Sequence, residues 1–269
     1  MSALSRIFVT LLCLSAGGMA QNTPTAPESK DLRVAAASDL TYVIEKLGPA
    51  FEKTSGIHVT VSLGSSGNFF AQIQNGAPFD VFLSADKGYP EKLEQAGKTE
   101  GGPVLYARGR LVIWVPNTSS FQLPSKGNQT LDGNLDVLTT PAVRKIAIAN
   151  PEHAPYGRAA VAAMTHFGVY EQLKPKIVMG ENISQTAQFG QTGNADVTLI
   201  SLSLASSGAL QHDGHWLLLP EDSYPPIEQA GVVLKSSQNK AQAKRFLDFV
   251  ASPEGQAIMH DFGFGAATK

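Results

Sequence analysis

VSLGSSGNFFAQI, from Val61 to Ile73, changes from one kind of local structure to another within a few residues. An apolar, strand-like run ends at Leu63, the turn Gly-Ser-Ser-Gly follows, and a helix-like run begins near Asn68. Glycine and serine are common in loops, so this turn can simply connect a strand to a helix without any further function. It can also hold an anion, because the first backbone N–H groups of a helix have no partner inside that helix.

The same strand–turn–helix unit recurs along the chain and predicts an α/β fold. Apolar runs of strand type cover residues 32–36, 57–63, 80–84, 110–115, 145–149, 176–179, 196–201 and 231–234. Segments with helical spacing follow most of these runs, and a C-terminal helical region covers residues 239–262 with a break at Ser252-Pro253. Repeated units of this kind are typical of mostly parallel sheets that are flanked by helices.

A polar stretch after Pro116, PNTSSFQLPSKGNQT, interrupts this alternation and indicates the boundary between two lobes. The segments GAPFDVFLSAD (residues 76–86) and GNADVTLISLS (residues 193–203) share a glycine turn, an aspartate and an apolar strand. This internal similarity favours two lobes of similar design.

The bulk composition limits the class of protein. The chain has 269 residues, of which 43% are hydrophobic and 16% are charged, as is typical of a soluble globular protein with one large domain or two smaller ones. Its net charge of −2 argues against a nucleic-acid partner, because nucleic-acid-binding proteins carry a basic face.

Residues 1–20, MSALSRIFVTLLCLSAGGMA, predict a secretory signal peptide. They combine one arginine, an apolar stretch over residues 7–14, and small residues up to Ala20, after which we expect cleavage. Cys13 is the only cysteine, so the mature chain would contain none, which suits an oxidising compartment. Residues 21–31 read as a flexible leader before the fold.

Four junctions between a strand and a helix carry the candidate site. They are Ala37-Ser38-Asp39, Gly64-Ser65-Ser66-Gly67, Ala154-Pro155-Tyr156-Gly157 and Gly180-Glu181-Asn182-Ile183. Ligands of open α/β sheets bind at the carboxyl ends of strands, and each helix N-terminus carries roughly half a positive charge. Several such ends can together hold a fully ionised tetrahedral anion, and none of the four junctions contains a lysine.

Helix capping is the alternative explanation for the same residues. Ser38 or Asp39 is well placed as the N-cap of the helix that follows. Because the carboxylate of Asp39 would repel an anion, we expect its side chain to cap the helix and only its backbone N–H to face a ligand. Arg158, which follows the third junction, is expected to point along its helix into solvent.

Motifs for nucleotide binding and for catalysis are missing from the sequence. It contains no GxxxxGK[ST], no GxGxxG and no HExxH, and Gly64–Asn68 departs from GxSxG because Asn68 replaces the last glycine. HDGH at residues 212–215 reads as a turn, with a metal site as the alternative, and His153 beside Glu152 as a loop contact or an acid–base pair. We therefore expect no enzyme activity, no cofactor, and no metal ligated directly by side chains.

Several segments of the chain together resemble the periplasmic molybdate-binding proteins of ABC importers. They are AAASDL (residues 35–40), GSSGNFFAQIQNGAPFDVFLSAD (residues 64–86), GRLVIWVPN (residues 109–117) and NPEHAPYGRAA (residues 150–160). SPEGQAIMHDFGF (residues 252–264) resembles the closing helix of solute-binding proteins in general. The resemblance covers almost all of the chain after the predicted signal peptide.

This resemblance implies a two-lobed periplasmic-binding-protein fold with the ligand cleft between the lobes. Crossing strands near Trp114 and Ala230 would divide the chain into a first lobe of residues 32–113 and 230–269 and a second lobe of residues 114–229. The implied function is periplasmic capture of molybdate, and of tungstate, by a monomer that delivers the anion to the permease and ATPase of an ABC transporter. Molybdenum would be present only within the bound oxyanion. Sulfate or another tetrahedral oxyanion, an organic or chelate solute, and a secreted hydrolase are the alternatives.

The resemblance also implies which residues bind the anion: Ser38, Asp39, Ser66, Tyr156 and Ile183. Ser38 and Ser66 would donate through the hydroxyl and the backbone N–H, and the others through the backbone N–H. Ser65 and Ser201 are further candidates. Some members of the family carry a tyrosine at the position of Ser201, whose shorter side chain leaves its contact open, and Tyr156 is expected to fill that space.

Overall fold

The computed structural model describes residues 31–123, 130–131 and 133–267. The predicted signal peptide, its cleavage site and all of the predicted leader except Asp31 lie outside the described residues, as do residues 124–129 of the polar stretch after Pro116. Asp31 is the first residue of a strand rather than the end of the leader, because it pairs in register with His58 of the neighbouring strand.

The described residues form ten strands and ten α-helices. The first part of the chain contains β1 (Asp31–Ala37), α1 (Thr41–Ser55), β2 (His58–Gly64), α2 (Ser66–Gln74), β3 (Val81–Ser84), α3 (Gly88–Gln95) and β4 (Val104–Gly109). The middle part contains β5 (Leu111–Pro116), β6 (Ile146–Ala149), α4 (Pro155–His166), α5 (Tyr170–Leu173), β7 (Ile177–Gly180), α6 (Ile183–Gln191), β8 (Val197–Ser201), α7 (Leu202–Ala205), α8 (Leu210–Asp213) and β9 (Gly214–Leu218). The last part contains β10 (Ile227–Val233), α9 (Lys240–Val250) and α10 (Pro253–Asp261). This alternation confirms the predicted α/β class.

The strands form two five-stranded sheets, one in each lobe. Their strand orders are β2-β1-β3-β10-β4 and β7-β6-β8-β5-β9. β10 and β5 pair antiparallel with both of their neighbours, whereas the other adjacent strands pair in parallel. Each sheet is therefore mixed: all its strands run in one direction except a single reversed strand, which local strand–helix alternation does not reveal.

The chain passes between the lobes at two places. The first crossing is Arg110, the single residue between β4 and β5, and the second lies within residues 219–226, between β9 and β10. The first lobe accordingly comprises residues 31–109 and 227–267, and the second lobe is built on residues 111–218.

Both crossings lie a few residues before the positions we expected. Trp114 pairs with Thr198 inside the second sheet, and Ala230 pairs with Ser84 inside the first sheet. Each residue therefore belongs to the middle of a reversed strand. The apolar runs around Trp114 and Ala230 mark these buried strands, and a chain crossing has no comparable signal in the sequence.

Burial explains which segments the sequence predicts well. Val43, Ile44, Leu47 and Phe51 lie at helical spacing and are buried along one face of α1. β3 and β6 are buried at every position because helices cover both faces of their sheets. β4 was not predicted, since Arg108 interrupts its apolar pattern, and it forms as the edge strand that pairs with β10.

Across residues 31–123, 130–131 and 133–267, no helix combines the length and the hydropathy that a membrane-spanning segment needs.

Candidate functional site

A small cavity lies between the lobes, at the carboxyl ends of strands from both sheets. Six of the predicted residues line it: Ser38, Asp39, Ser65, Ser66, Tyr156 and Ile183. The serines and Asp39 belong to the first lobe, and Tyr156 and Ile183 belong to the second. The cavity has a volume of only about 10 Å³, which is room for about one water molecule. Residues of both lobes are therefore close enough to contact the same small ligand.

Three helices begin at the cavity. α2 begins at Ser66, α4 at Pro155 and α6 at Ile183. The first N–H groups of each helix lack partners inside the helix, and the helix N-terminus carries a partial positive charge. Ser66, Tyr156 and Ile183 therefore bring N–H donors to the cavity, whose lining contains no lysine or arginine.

The two predicted hydroxyl donors differ in their existing contacts. The hydroxyl of Ser66 is fully buried and accepts a hydrogen bond from the backbone N–H of Ala85 at 3.0 Å, which leaves its own proton available to a ligand. The hydroxyl of Ser38 makes no hydrogen bond to any other described residue, although Ser38 is 3% exposed. Both hydroxyls can therefore donate to an acceptor in the cavity.

Ser65 has a different role, because its hydroxyl is already used twice. It caps α2 by accepting from the N–H of Asn68 at 3.3 Å, and it lies 2.9 Å from Nδ1 of His153 in the second lobe. His153 Nε2 also lies 3.7 Å from a carboxylate oxygen of Glu181. The side chains of Ser65 and His153 therefore join the lobes at the edge of the cavity.

Further hydrogen bonds hold the lobes together around the cavity. The N–H of Gly67 donates to the carbonyl of His153 at 2.9 Å, and the side-chain amide of Asn68 donates to Glu181 at 2.5 Å. On the other side, the hydroxyl of Ser184 donates to the carbonyl of Ser38 at 3.0 Å. The structure is therefore a closed arrangement of the two lobes.

Asp39 does not cap a helix, contrary to our expectation. Residues Ser38–Leu40 form a 3₁₀ turn, and α1 begins at Thr41 without a side-chain cap, so Ser38 is not an N-cap either. The Oδ2 atom of Asp39 instead accepts hydrogen bonds from the hydroxyl of Tyr156 at 3.0 Å and from the side-chain amide of Gln229 at 2.5 Å. Its Oδ1 atom is buried and has no partner among the described residues.

Burial of Asp39 changes its ionisation. Desolvation raises the pKa of this carboxyl from 3.8 to about 6, although the hydrogen bonds from Gln229 and Tyr156 act in the opposite direction. Burial likewise raises the pKa of Tyr156 well above its usual range, so its hydroxyl remains a neutral donor to Asp39. The side chain of Tyr156 is therefore directed to Asp39, and its filling of the space beside Ser201 stays a prediction.

Ser201 lies outside the cavity. Its hydroxyl caps α7 by accepting from the N–H of Leu204 at 3.4 Å, and it donates its own proton to the hydroxyl oxygen of Ser203 at 3.0 Å. Ser203 is the residue that contacts the site region, because the same hydroxyl bonds the carbonyl of Asp39 at 2.8 Å. Sequence position alone does not distinguish these two serines.

Arg158 joins the lobes instead of pointing into solvent as we expected. Its guanidinium pairs with the carboxylate of Asp86, and it lies 5.5 Å from the ring centre of Tyr89. A larger cavity of about 290 Å³ borders this ion pair and a second one between Lys87 and Glu228. Because these charges are paired with each other, this larger cavity offers no free cation to an anion.

Residues 212–215 do not form the turn that we expected, because His212 lies at the end of α8 and His215 lies at the start of β9. Among the residues that the structure describes, no three histidine, cysteine, aspartate or glutamate side chains come together as metal ligands.

Comparison with known proteins adds independent findings. Residues 32–265 match a family described as bacterial extracellular solute-binding protein. A molybdate-binding protein of Azotobacter vinelandii is 37% identical over 265 residues, which cover 98% of each chain. One from Rhodobacter capsulatus is 38% identical over 231 residues, which cover 86% of each chain. The solved structure of a periplasmic molybdate-binding protein of A. vinelandii superimposes with a TM-score of 0.77 at 34% identity, covering 88% of this chain and all of that one.

The raised pKa of Asp39 predicts how stability depends on pH. Between about pH 4 and pH 6 the folded protein binds more protons at Asp39 than the unfolded chain does, so this group lowers the free energy of unfolding as pH rises through that window. In the variant Asp39→Asn the side chain at this position is uncharged at every pH. We expect the variant to be more stable than the parent above pH 6, by up to about 3 kcal/mol, and the difference to vanish below pH 4.

Urea unfolding of both proteins at several pH values measures this difference. All other carboxylates titrate equally in the parent and the variant, so their contributions cancel in the difference between the two free energies of unfolding. If the difference in the free energy of unfolding does not change with pH, the pKa of Asp39 is not raised in the folded protein.

Proposed function

Because the chain belongs to the family of bacterial extracellular solute-binding proteins, we propose that it captures molybdate and delivers it to an ABC transporter. The observation that carries this proposal is the cavity between the lobes, which offers hydroxyl and N–H donors and is lined by no lysine or arginine. The similarity to the molybdate-binding proteins of A. vinelandii and R. capsulatus supports the choice of ligand.

The donor set suits a fully ionised tetrahedral oxyanion. Hydroxyls of Ser38 and Ser66 and first-turn N–H groups of Ser66, Tyr156 and Ile183 supply donors from both lobes, and the N–H of Asp39 is a further candidate. No covalent step is required, and molybdenum enters only as part of the anion. Tungstate has the same shape and charge and would bind in the same way, whereas discrimination against the smaller sulfate would depend on the size of the cleft once the lobes have closed on the anion.

Closure of the lobes converts binding into a signal. An anion that bridges donors of both lobes binds the closed state more tightly than the open state, and it shifts the equilibrium only by that difference in affinity. The hydrogen bonds from Gly67 to His153 and from Asn68 to Glu181 form only when the lobes meet. In this proposal the closed monomer is the form that a permease and its ATPase recognise.

The proposed location is the periplasm. Residues 1–20 would direct secretion and would be removed after Ala20.

Thermal unfolding with molybdate, tungstate, sulfate and phosphate in turn tests the function. A ligand at 1,000 times its dissociation constant adds about 4 kcal/mol to the free energy of unfolding. We expect molybdate and tungstate to raise the melting temperature and sulfate and phosphate to leave it unchanged. A rise with sulfate alone would retain the oxyanion cleft and reject molybdate, and no rise with any anion would reject the function.

Ser38→Ala should separate binding from stability. The hydroxyl of Ser38 has no partner among the described residues, so its removal should leave the melting temperature of the free protein unchanged. Loss of a donor to a charged group should weaken molybdate binding by about 1 to 3 kcal/mol, which is roughly 5- to 150-fold in Kd. Titration calorimetry measures the change.

Ser201→Ala is the matched control, because this serine lies outside the cavity and caps α7. It should keep the parent affinity while it lowers stability. The opposite result, with Ser201→Ala weakening binding and Ser38→Ala leaving it intact, would exchange the roles of the two serines.

Gly67→Ala should obstruct closure. A Cβ at this position would lie 2.7 Å from the Cβ and the carbonyl oxygen of His153 in the second lobe, closer than such atoms can approach, and also 2.7 Å from the hydroxyl of Tyr89, a flexible side chain of its own lobe that can move aside. We expect at least a tenfold loss of molybdate affinity without unfolding. Gly48→Ala is the control, since a Cβ at Gly48 of α1 meets nothing within 4 Å. Equal affinities of the two variants would show that closure does not need the contact at Gly67.

A further inference from the structure

We propose that binding of a tetrahedral dianion in the cleft is coupled to the uptake of one proton, and that the carboxylate of Asp39 receives it. The inference rests on the proposed anion binding and adds a second ligand, the proton, to the same site. It makes Asp39 a group that controls affinity and anion selectivity, in addition to any contact through its backbone N–H.

The first observation is the position of the carboxylate. Asp39 lines the cavity, is 1% exposed, and directly follows Ser38, the predicted anion donor. One carboxylate oxygen accepts from Tyr156 and Gln229, while Oδ1 is buried without a partner. No lysine or arginine among the described residues pairs with this carboxylate. A negative charge next to an anion site is therefore compensated only by neutral donors.

The second observation concerns the groups that face Asp39. Tyr156 approaches from α4, Gln229 from β10, and Ser203 from α7, and Tyr106 on β4 is close enough for the charge of Asp39 to raise its pKa. Burial also raises the pKa of both tyrosines well above the usual range, so they stay protonated. Of the titratable groups described around this carboxylate, Asp39 is therefore the one that can exchange a proton near neutral pH.

An incoming dianion makes the ionised form of Asp39 less favourable. Like charges at short range raise the pKa of a carboxyl, and the effect is large where water is excluded. Burial already raises the pKa of Asp39 to about 6, so a further rise caused by the dianion moves its titration into the neutral range. The carboxylate then takes a proton from solvent as the anion enters. The net charge of the site falls by one unit instead of the two units that the dianion alone would add.

The proton also completes the local hydrogen bonding. Oδ1 of Asp39 and Oε1 of Gln229 are both buried acceptors without partners among the described residues. A buried polar atom without a partner is unfavourable. Protonation at Oδ1 converts one of these two acceptors into a donor.

Titration calorimetry with molybdate measures the proton directly. Titrations at about pH 7.5 in HEPES and in Tris, whose ionisation enthalpies differ, give the number of protons taken up per anion bound. We expect a value clearly above zero, and at most one, for the parent protein. It should fall as the pH is lowered below about 6, where Asp39 is already protonated before the anion binds. Between the pKa of Asp39 in the free protein and its higher pKa in the anion complex, the Kd should rise with pH by at most tenfold per pH unit, and above the second pKa it should level off.

Two matched substitutions assign the proton to a residue. Asp39→Asn imitates the protonated carboxyl, so its proton uptake should be near zero and its affinity at pH 8 should be at least that of the parent. Asp86→Asn removes a different carboxylate between the lobes, the partner of Arg158, and should retain the parent's proton uptake. If Asp39→Asn does not fold, the pH dependence of the parent's proton uptake still tests the coupling.

The outcomes separate this inference from the proposed function. Molybdate binding without proton uptake would overturn the role of Asp39 and leave the function intact. Uptake that persists in Asp39→Asn, or is lost in Asp86→Asn, would also overturn it. If the parent protein binds no molybdate at all, both proposals fail together.

Discussion

The hydrogen bonds at Asp39 connect three distant parts of the chain beside the cleft. Asp39 follows β1, Tyr156 lies in the first turn of α4 in the other lobe, and Gln229 lies on β10, the strand on which the chain returns to the first lobe. The geometry of the cavity depends on this cluster, because the N–H groups of Asp39 and Tyr156 are attached to its members. A buried carboxylate with no cation beside it is unfavourable by itself, and here neutral donors from both lobes make it tolerable.

The reversed strand in each sheet explains how two lobes can share one cleft. β5 and β10 each enter a sheet directly after a crossing and pair on both sides with strands that run the other way. The carboxyl ends of the remaining strands in both sheets can then face the same space. Since the first crossing is the single residue Arg110, a change in the angle between the lobes has to be absorbed by few backbone bonds there and within residues 219–226.

The sequence predicts the features that depend on neighbouring residues. The starts of α2 and α6 are predicted by a turn with glycine or asparagine next to an apolar run. Ser65 and Asn182 are the N-caps of these two helices in the structure. The candidate site follows from the same local signals, since Ser38, Ser66 and Ile183 stand at the ends of strands. Such signals identify where a helix begins and which residues can offer N–H groups.

The destinations of long or charged side chains depend on partners that are remote in sequence. Asp39 and Tyr156 are 117 residues apart, and Arg158 and Asp86 are 72 residues apart. The local sequence predicts that Asp39 caps a helix and that Arg158 is exposed to solvent. In the structure both side chains instead bind partners across the interface between the lobes. The role of Ser203 was missed for the same reason, because only the approach of α7 to the turn after β1 brings its hydroxyl to the carbonyl of Asp39.

If the anion is recognised by backbone N–H groups, as proposed, this affects which residues can change during evolution. Every amino acid except proline carries the same N–H, so the donor at Ile183 survives any substitution that preserves the start of α6. Ile183 is buried, and the selection on it is for a shape that fills the space. Tyr156 differs, since its hydroxyl serves Asp39 while its N–H stands at the cavity. Divergence at Ile183 is therefore compatible with an unchanged ligand, whereas a change at Tyr156 requires a compensating change at Asp39 or Gln229.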